Sequence, residues 1–200
     1  MQKVNDVKEL EDLYGTPGEA SILKVMDHVT PLYRKWIDQS RLCILSTVGP
    51  DGTDGSPRGD DGPVVQLADP KTILLPDWRG NNRMDSLRNI VADGRVSLMF
   101  MVAGSNNVVR VNGSAIVTTD ADVLARFDQR GKGPRSVVVI TVGEIYSQCA
   151  RALMRPATWS GQDHSAGLPS VGDLLAEAKT GFDAEAYDAN WADRANETMW

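Results

Sequence analysis

In GNNRMDSLRNI, residues 80–90, a glycine, two adjacent asparagines, an arginine and a serine lead into an apolar helical repeat. Asn81 and Asn82 are short amides suited to capping a helix start. Arg83 carries a two-pronged cation, and Ser86 follows one turn along. Three arrangements use such a set: a plain cap, a solvated surface patch, or a grip on a phosphate. A helix start presents unpaired N–H groups and a partial positive charge, which suits an anion. Further cations come from Arg58 in SPRGD, from Arg79 beside the asparagines, and from Arg110 within an apolar strand. Together they describe a local anion pocket, opposite in sign to the chain as a whole. No Ser-His-Asp set, carboxylate pair or metal-ligand cluster competes with it. His28 and His164 are isolated, so no catalytic side chain and no metal ligand is assigned.

The chain around this cluster has 200 residues, 42% hydrophobic and 24% charged, with a formal net charge of −6 at pH 7. That balance argues against bulk attraction to nucleic acid or to an anionic membrane surface. No apolar run approaches the roughly 20 residues that cross a bilayer, and MQKVNDVKEL has no signal-peptide core. Cys43 and Cys149 lie in apolar settings without CxxC spacing, as expected of two unpaired core thiols in a cytoplasmic protein. The length suits one domain over residues 1–200: N-terminal helices over 1–40, a barrel over 41–148, and C-terminal loop and helices over 149–200.

The elements that must position the cluster follow from periodicity. Residues 18–28 and the stretch after Thr30-Pro31 read as helices, the second with an N-cap and a proline at its first position. RLCILSTV, a short stretch over 54–58, KTILLP, RVSLMFMVAG, NVVRVNGSAIVTT and SVVVITVGEIYSQC read as six strands. Pro76 suits the end or edge of its strand. Few helices intervene, so a closed antiparallel barrel with flanking helices is expected rather than a doubly wound sheet. A helix over 83–93, capped by Asn81 or Asn82, would pack Met84, Leu87 and Val91 on the sheet. Short helical signals follow at 121–127, at the Ser170/Asp173 capping box, and where Tyr187 and Trp191 lie one turn apart.

STVGPDG…SPRGD, ILLPD.RGNNRMDSLRNI…GRVSLMF and VRVNGSA together resemble the pyridoxamine 5'-phosphate oxidase superfamily of FMN-binding split β-barrels. The similarity is to the branch of FMN-dependent enzymes related to that oxidase, and it runs over residues 36–159. It implies a six-stranded antiparallel split barrel, mainly β with flanking helices, forming a homodimer with FMN sites across the interface. It places the phosphate grip on Asn82 and Arg83 with Ser86 close by, and Arg58 near the phosphate. Leu75, Pro76 and Asp77 would run beside the flavin, and Arg110 would reach the site of the other subunit. Residues 148–155 and Trp159 match a segment that closes the family's pocket. The acidic tail beyond them departs from the basic, aromatic region with which true pyridoxamine phosphate oxidases hold their substrate.

Two functions fit this reading. One is an FMN-dependent oxidoreductase acting on a small molecule, in which the cofactor carries the chemistry and the protein orients it. The other is a non-catalytic holder of FMN, or of haem or a deazaflavin, for sensing or storage, because the fold alone does not decide activity. Tyr33, Tyr146 and Trp78 are the aromatics that could line the pocket. A hairpin edge exposing VVRVNGSAIV, with Tyr33 and Trp36 nearby, would leave an apolar face for a twofold partner.

Overall fold

Short capped helices precede the sheet. The computed structural model describes residues 1–200. In α1 (Val7–Tyr14), Asp6 accepts the Glu9 N–H at 2.8 Å, and Gly15 ends the helix at φ +70°. The left-handed turn at Gly15 is one that only glycine adopts cheaply. The helix expected over 18–28 closes early, as α2 (Glu19–Leu23). The reason is that Met26 exchanges both backbone hydrogen bonds with Ile145 and becomes a short bridge. In α3 (Pro31–Gln39) the Thr30 side chain caps the helix and Pro31 opens it, as its sequence requires. Ile37 on this helix is fully buried.

The strands are β1 (Leu42–Gly49), β2 (Gly52–Gly59), β3 (Gln66–Asp69) and β4 (Thr72–Asp77); α4 (Asp85–Ala92) follows. Then come β5 (Arg95–Met101), β6 (Val108–Thr118), α5 (Ala121–Leu124) and β7 (Ser136–Gln148). All seven strands join one antiparallel sheet in the order β2-β1-β5-β6-β7-β4-β3. The count is therefore seven, not six. The extra strand, β3, is four residues long and exists through its pairing with β4. The order also corrects the expected hairpin edge, because β6 is interior, paired with β5 and with β7.

Alternation along each strand makes the two faces different. Cys43, Leu45, Leu98, Phe100, Val109, Val111, Ile140 and Ile145 point to the inner side and form one core with Ile37 of α3 and Ile90 of α4. Full burial of a side chain of this size stabilises by about 1.5–3 kcal/mol. On the outer side, Leu74 and Val137 form a smaller cluster with Phe127, packed by Val123 and Leu124. A bulge between Asn112 and Gly113 lets β6 and β7 approach closely there. A Cβ on Gly113 would lie 2.0 Å from the Thr141 carbonyl oxygen.

Past the sheet lie α6 (Arg151–Met154), α7 (Val171–Ala178), α8 (Ala184–Ala189) and α9 (Trp191–Thr198). Ser170 and Asp173 make both bonds of the expected capping box. Asn190 separates α8 from α9, so Tyr187 and Trp191 sit on different helices. No helix is long and apolar enough to cross a membrane. Cys43 is buried, whereas Cys149 is exposed and is not the core thiol expected.

Candidate functional site

Helix α4 starts later than its sequence suggests, and this shapes the turn before it. Asn82 and Met84 both adopt left-handed backbone, at φ 61°, and the helix begins at Asp85 with no side-chain cap. Asn82 therefore does not cap the helix. Its Oδ1 instead accepts from Arg135 Nη1 at 2.7 Å, while Asn81 Oδ1 accepts the Arg83 N–H at 3.0 Å. Asparagine tolerates this conformation better than most residues do. With the start shifted, Ser86, Leu87 and Ile90 form the packed face; Met84 and Val91 are exposed, contrary to expectation. Asn89 ties the helix to β1 by donating to Thr47 Oγ1 at 3.1 Å.

Between this turn, β2 and the end of β4 lies a cleft of about 860 Å³, within the range of roughly 300–1,000 Å³ typical of small-molecule sites. It gathers Arg58, Leu75, Pro76, Asp77, Asn81, Asn82, Arg83 and Ser86. Strand β3 pairs only with Thr72, Ile73 and Leu74 of β4, so the same side of Leu75, Pro76 and Asp77 has no strand partner. Pro76, which lacks an N–H, is placed there without a lost ladder bond. Arg110 is not part of the cleft. It lies on the outer sheet face, 5.4 Å over the Tyr146 ring, and donates weakly to Gln148 at 3.4 Å.

The cleft is not the basic pocket its arginines suggest. Arg58, Arg79, Arg83 and Arg135 share it with Asp54, Asp60, Asp61, Asp77 and Asp85. Arg58 Nη1 donates to Asp77 Oδ1 at 2.7 Å, with both side chains about one-fifth exposed. Arg83 Nε donates to Asp85, an exposed pair. Ser86 is buried and its hydroxyl donates a hydrogen bond to the Asp54 carboxylate. Asp77 and Asp54 come from other strands, so those two contacts are tertiary, whereas Asp85 is local to Arg83. Even so, one guanidinium donor is unmatched: Arg58 Nε is buried and has no hydrogen-bond partner. Beneath it in the sheet, Cys43 pairs across the strands with Arg58. Burial pushes the Cys43 thiol up to about 12, against a smaller opposing effect of the Arg58 charge.

Several lining residues carry no local sequence signal. Arg135 arrives from the turn before β7, and Asp60 holds the Trp78 indole N–H at 2.9 Å. Of the three aromatics considered, only Trp78 lines the cleft. Tyr33 instead accepts from the Ser147 N–H and donates to the Lys24 carbonyl. Trp159 does not close the cleft either, because its indole donates to the Ser105 carbonyl at 2.7 Å. Met199 and Trp200 reach the rim from beyond α9 instead.

The family model described as pyridoxamine 5'-phosphate oxidase matches residues 29–149, more than half of the chain. The chain belongs to the pyridoxamine 5'-phosphate oxidase family. The matched span runs from before α3 to just past β7 and contains every cleft residue except Met199 and Trp200. Among solved structures, HupZ of Group A Streptococcus is 20% identical, covering 60% of this chain and 93% of its own, with a TM-score of 0.50. An FMN-binding protein of Syntrophomonas wolfei is 12% identical over 72% of this chain and 97% of its own, with a TM-score of 0.44. General stress protein 26 of Bacillus anthracis is 17% identical over 57% and 88%, with a TM-score of 0.42. At such identities the likeness is one of fold, here the family's split β-barrel. No curated protein matches the chain.

Proposed function

We propose that this member of the pyridoxamine 5'-phosphate oxidase family is an oxidoreductase that holds FMN in the cleft. The phosphate would lie toward residues 81–83 and Arg58, with the flavin along the free side of Leu75, Pro76 and Asp77 beside Trp78. The observation that carries this reading is the buried, partnerless Arg58 Nε. Leaving such a donor unmet costs about 1–3 kcal/mol, more for a charged group, and a phosphate oxygen would meet it with a charge-assisted bond. Arg79, Arg83 and Arg135 add exposed cations. The Arg83–Asp85 pair is weak enough in water to be exchanged for a phosphate. Ser86 would first have to release Asp54, so it is the least ready of the proposed contacts.

FMN, when bound, supplies hydride or electron transfer to a small-molecule partner. The protein's own residues bind, orient and screen it, and none is assigned a proton-transfer role. The placement of Trp200 at the rim favours a second reading, a non-catalytic FMN, haem or deazaflavin holder whose ring stays covered. The visible spectrum of the freshly purified protein separates the chromophores, and reduction by a nicotinamide with sustained turnover separates enzyme from holder. Flavin bands with turnover are expected. A protein that neither carries nor takes up flavin would overturn the proposal.

We further propose a homodimer formed through the outer sheet face, where Leu42 is exposed and Ile44, Met99, Met101 and Tyr146 are only half-buried. Apolar surface of that kind favours association. Arg110 projects from this face, away from the cleft of its own chain, so a second copy would supply its target. Sedimentation at micromolar concentration tests this, and a stable monomer with full FMN occupancy would rule out shared sites.

A further inference from the structure

Only two buried side-chain nitrogen or oxygen atoms in the whole molecule have no hydrogen-bond partner, Arg58 Nε and Trp200 Nε1. Both residues line the same cleft. Buried polar groups are paired in the great majority of cases, so two unpaired donors at one site are a joint signature. Guanidinium and indole N–H groups donate and never accept. A molecule that satisfies both must therefore present an acceptor to each.

The two donors differ in chemistry. Arg58 is cationic and sits with the other arginines, which suits an anionic oxygen. Trp200 is neutral and lies edge-on to Trp78, with ring centroids 5.7 Å apart and planes at 88°. Trp78 is itself fixed, since its indole N–H is held by Asp60, which also takes the Gln129 amide at 2.7 Å. Trp200 is anchored at its backbone, where Lys132 Nζ donates to its carbonyl oxygen at 3.1 Å. Its indole, packed on Trp78, buries its N–H at the cleft without an acceptor.

We propose that Trp200 is a ligand-binding residue whose indole N–H donates to a neutral acceptor, a carbonyl oxygen or ring nitrogen, on the aromatic part of the bound cofactor. This rests on the reading that the cleft holds FMN. Trp78 and Trp200 then form an aromatic wall of the cleft, the surface a planar ring system would lie against. That wall comes partly from a segment outside the family-matched span.

The test compares full-length wild type, Trp200→Phe and Trp200→Ala in equilibrium titrations with FMN and with riboflavin, and in thermal unfolding without ligand. Trp200→Phe keeps an aromatic ring and removes the donor together with part of the indole's contact area. It should weaken FMN and riboflavin alike, by about two- to tenfold, the worth of one neutral hydrogen bond. Trp200→Ala should weaken both further. The ligand-free Phe variant should melt close to wild type, because removal of the unmet donor offsets the reduced ring contact with Trp78. Unchanged affinity for both flavins in Trp200→Phe, with wild type binding FMN, would overturn the role of Trp200 alone. A loss confined to FMN would overturn it too, since it would put the indole at the phosphate end. Failure of wild type to bind either flavin would overturn the FMN reading and this proposal together.

Discussion

Replacing Arg83 by alanine should weaken FMN by about 5- to 30-fold and leave riboflavin nearly unchanged. Arg83 is 78% exposed and its present partner Asp85 is 44% exposed. A charge-assisted hydrogen bond to phosphate contributes about 1.5–3 kcal/mol. Giving up an exposed ion pair to make it costs about 0.2–1 kcal/mol. The net runs from about 0.5 to 2.8 kcal/mol, and its middle, about 1–2 kcal/mol, converts to the stated loss of affinity. Folding should hardly change. The bond from the Arg83 backbone N–H to Asn81 Oδ1 survives the substitution, and the packed face of α4 lies at Ser86, Leu87 and Ile90. Flavin fluorescence titrations at one fixed, modest ionic strength would measure both affinities, because an exposed charge is screened by salt. Riboflavin weakened as much as FMN, or neither weakened, would refute the phosphate placement and leave Arg83 as a solvated surface residue.

The carboxylates of the cleft make an opposite prediction. Asp85→Asn frees Arg83 and removes a negative charge beside the phosphate, so FMN should bind about two- to fivefold tighter, while the loss of an acid from the first turn of α4 should cost about 0.3–1 kcal/mol of stability in denaturant unfolding. Only Cys149 should react with a thiol-exchange reagent at neutral pH, and Cys43 only after unfolding; rapid labelling of both in the native protein would contradict the buried placement. The Cys43 thiol is raised from 9.0 to about 12 on folding. Its protonated form therefore supports the fold fully below pH 9, and that support should fall progressively as pH rises from 9 toward 12, as alkaline unfolding curves of wild type and Cys43→Ala would show. Gly113→Ala should destabilise by at least the roughly 1–3 kcal/mol of an overpacked site, because the new Cβ meets the Thr141 backbone; a variant as stable as wild type would mean that the bulge relaxes freely.

Local chemistry explains what the sequence made readable. The Thr30-Pro31 start and the Ser170/Asp173 box are bonds between residues three apart, so they form as written. Long β-branched runs such as SVVVITVGEIYSQ carry their own strand signal. By contrast, QLAD is too short to show alternation and becomes β3 only through β4. The motif 80–90 located most of the cleft but mis-set its own geometry, because left-handed Asn82 and Met84 move the helix start to Asp85. The pairing of Arg58 was not legible, since Asp77 is 19 residues away, nor was that of Ser86, whose partner Asp54 is 32 residues away. Trp200 was unreadable for the same reason, as nothing near it in sequence marks a cleft.

The most direct test of the account is an experimental structure of the protein with FMN bound. The account places a phosphate oxygen within hydrogen-bond distance of Arg58 Nε and beside residues 81–83, with the flavin along Leu75, Pro76 and Asp77. An empty cleft at saturating FMN, or a flavin phosphate bound away from Arg58 and the 81–83 turn, would contradict it.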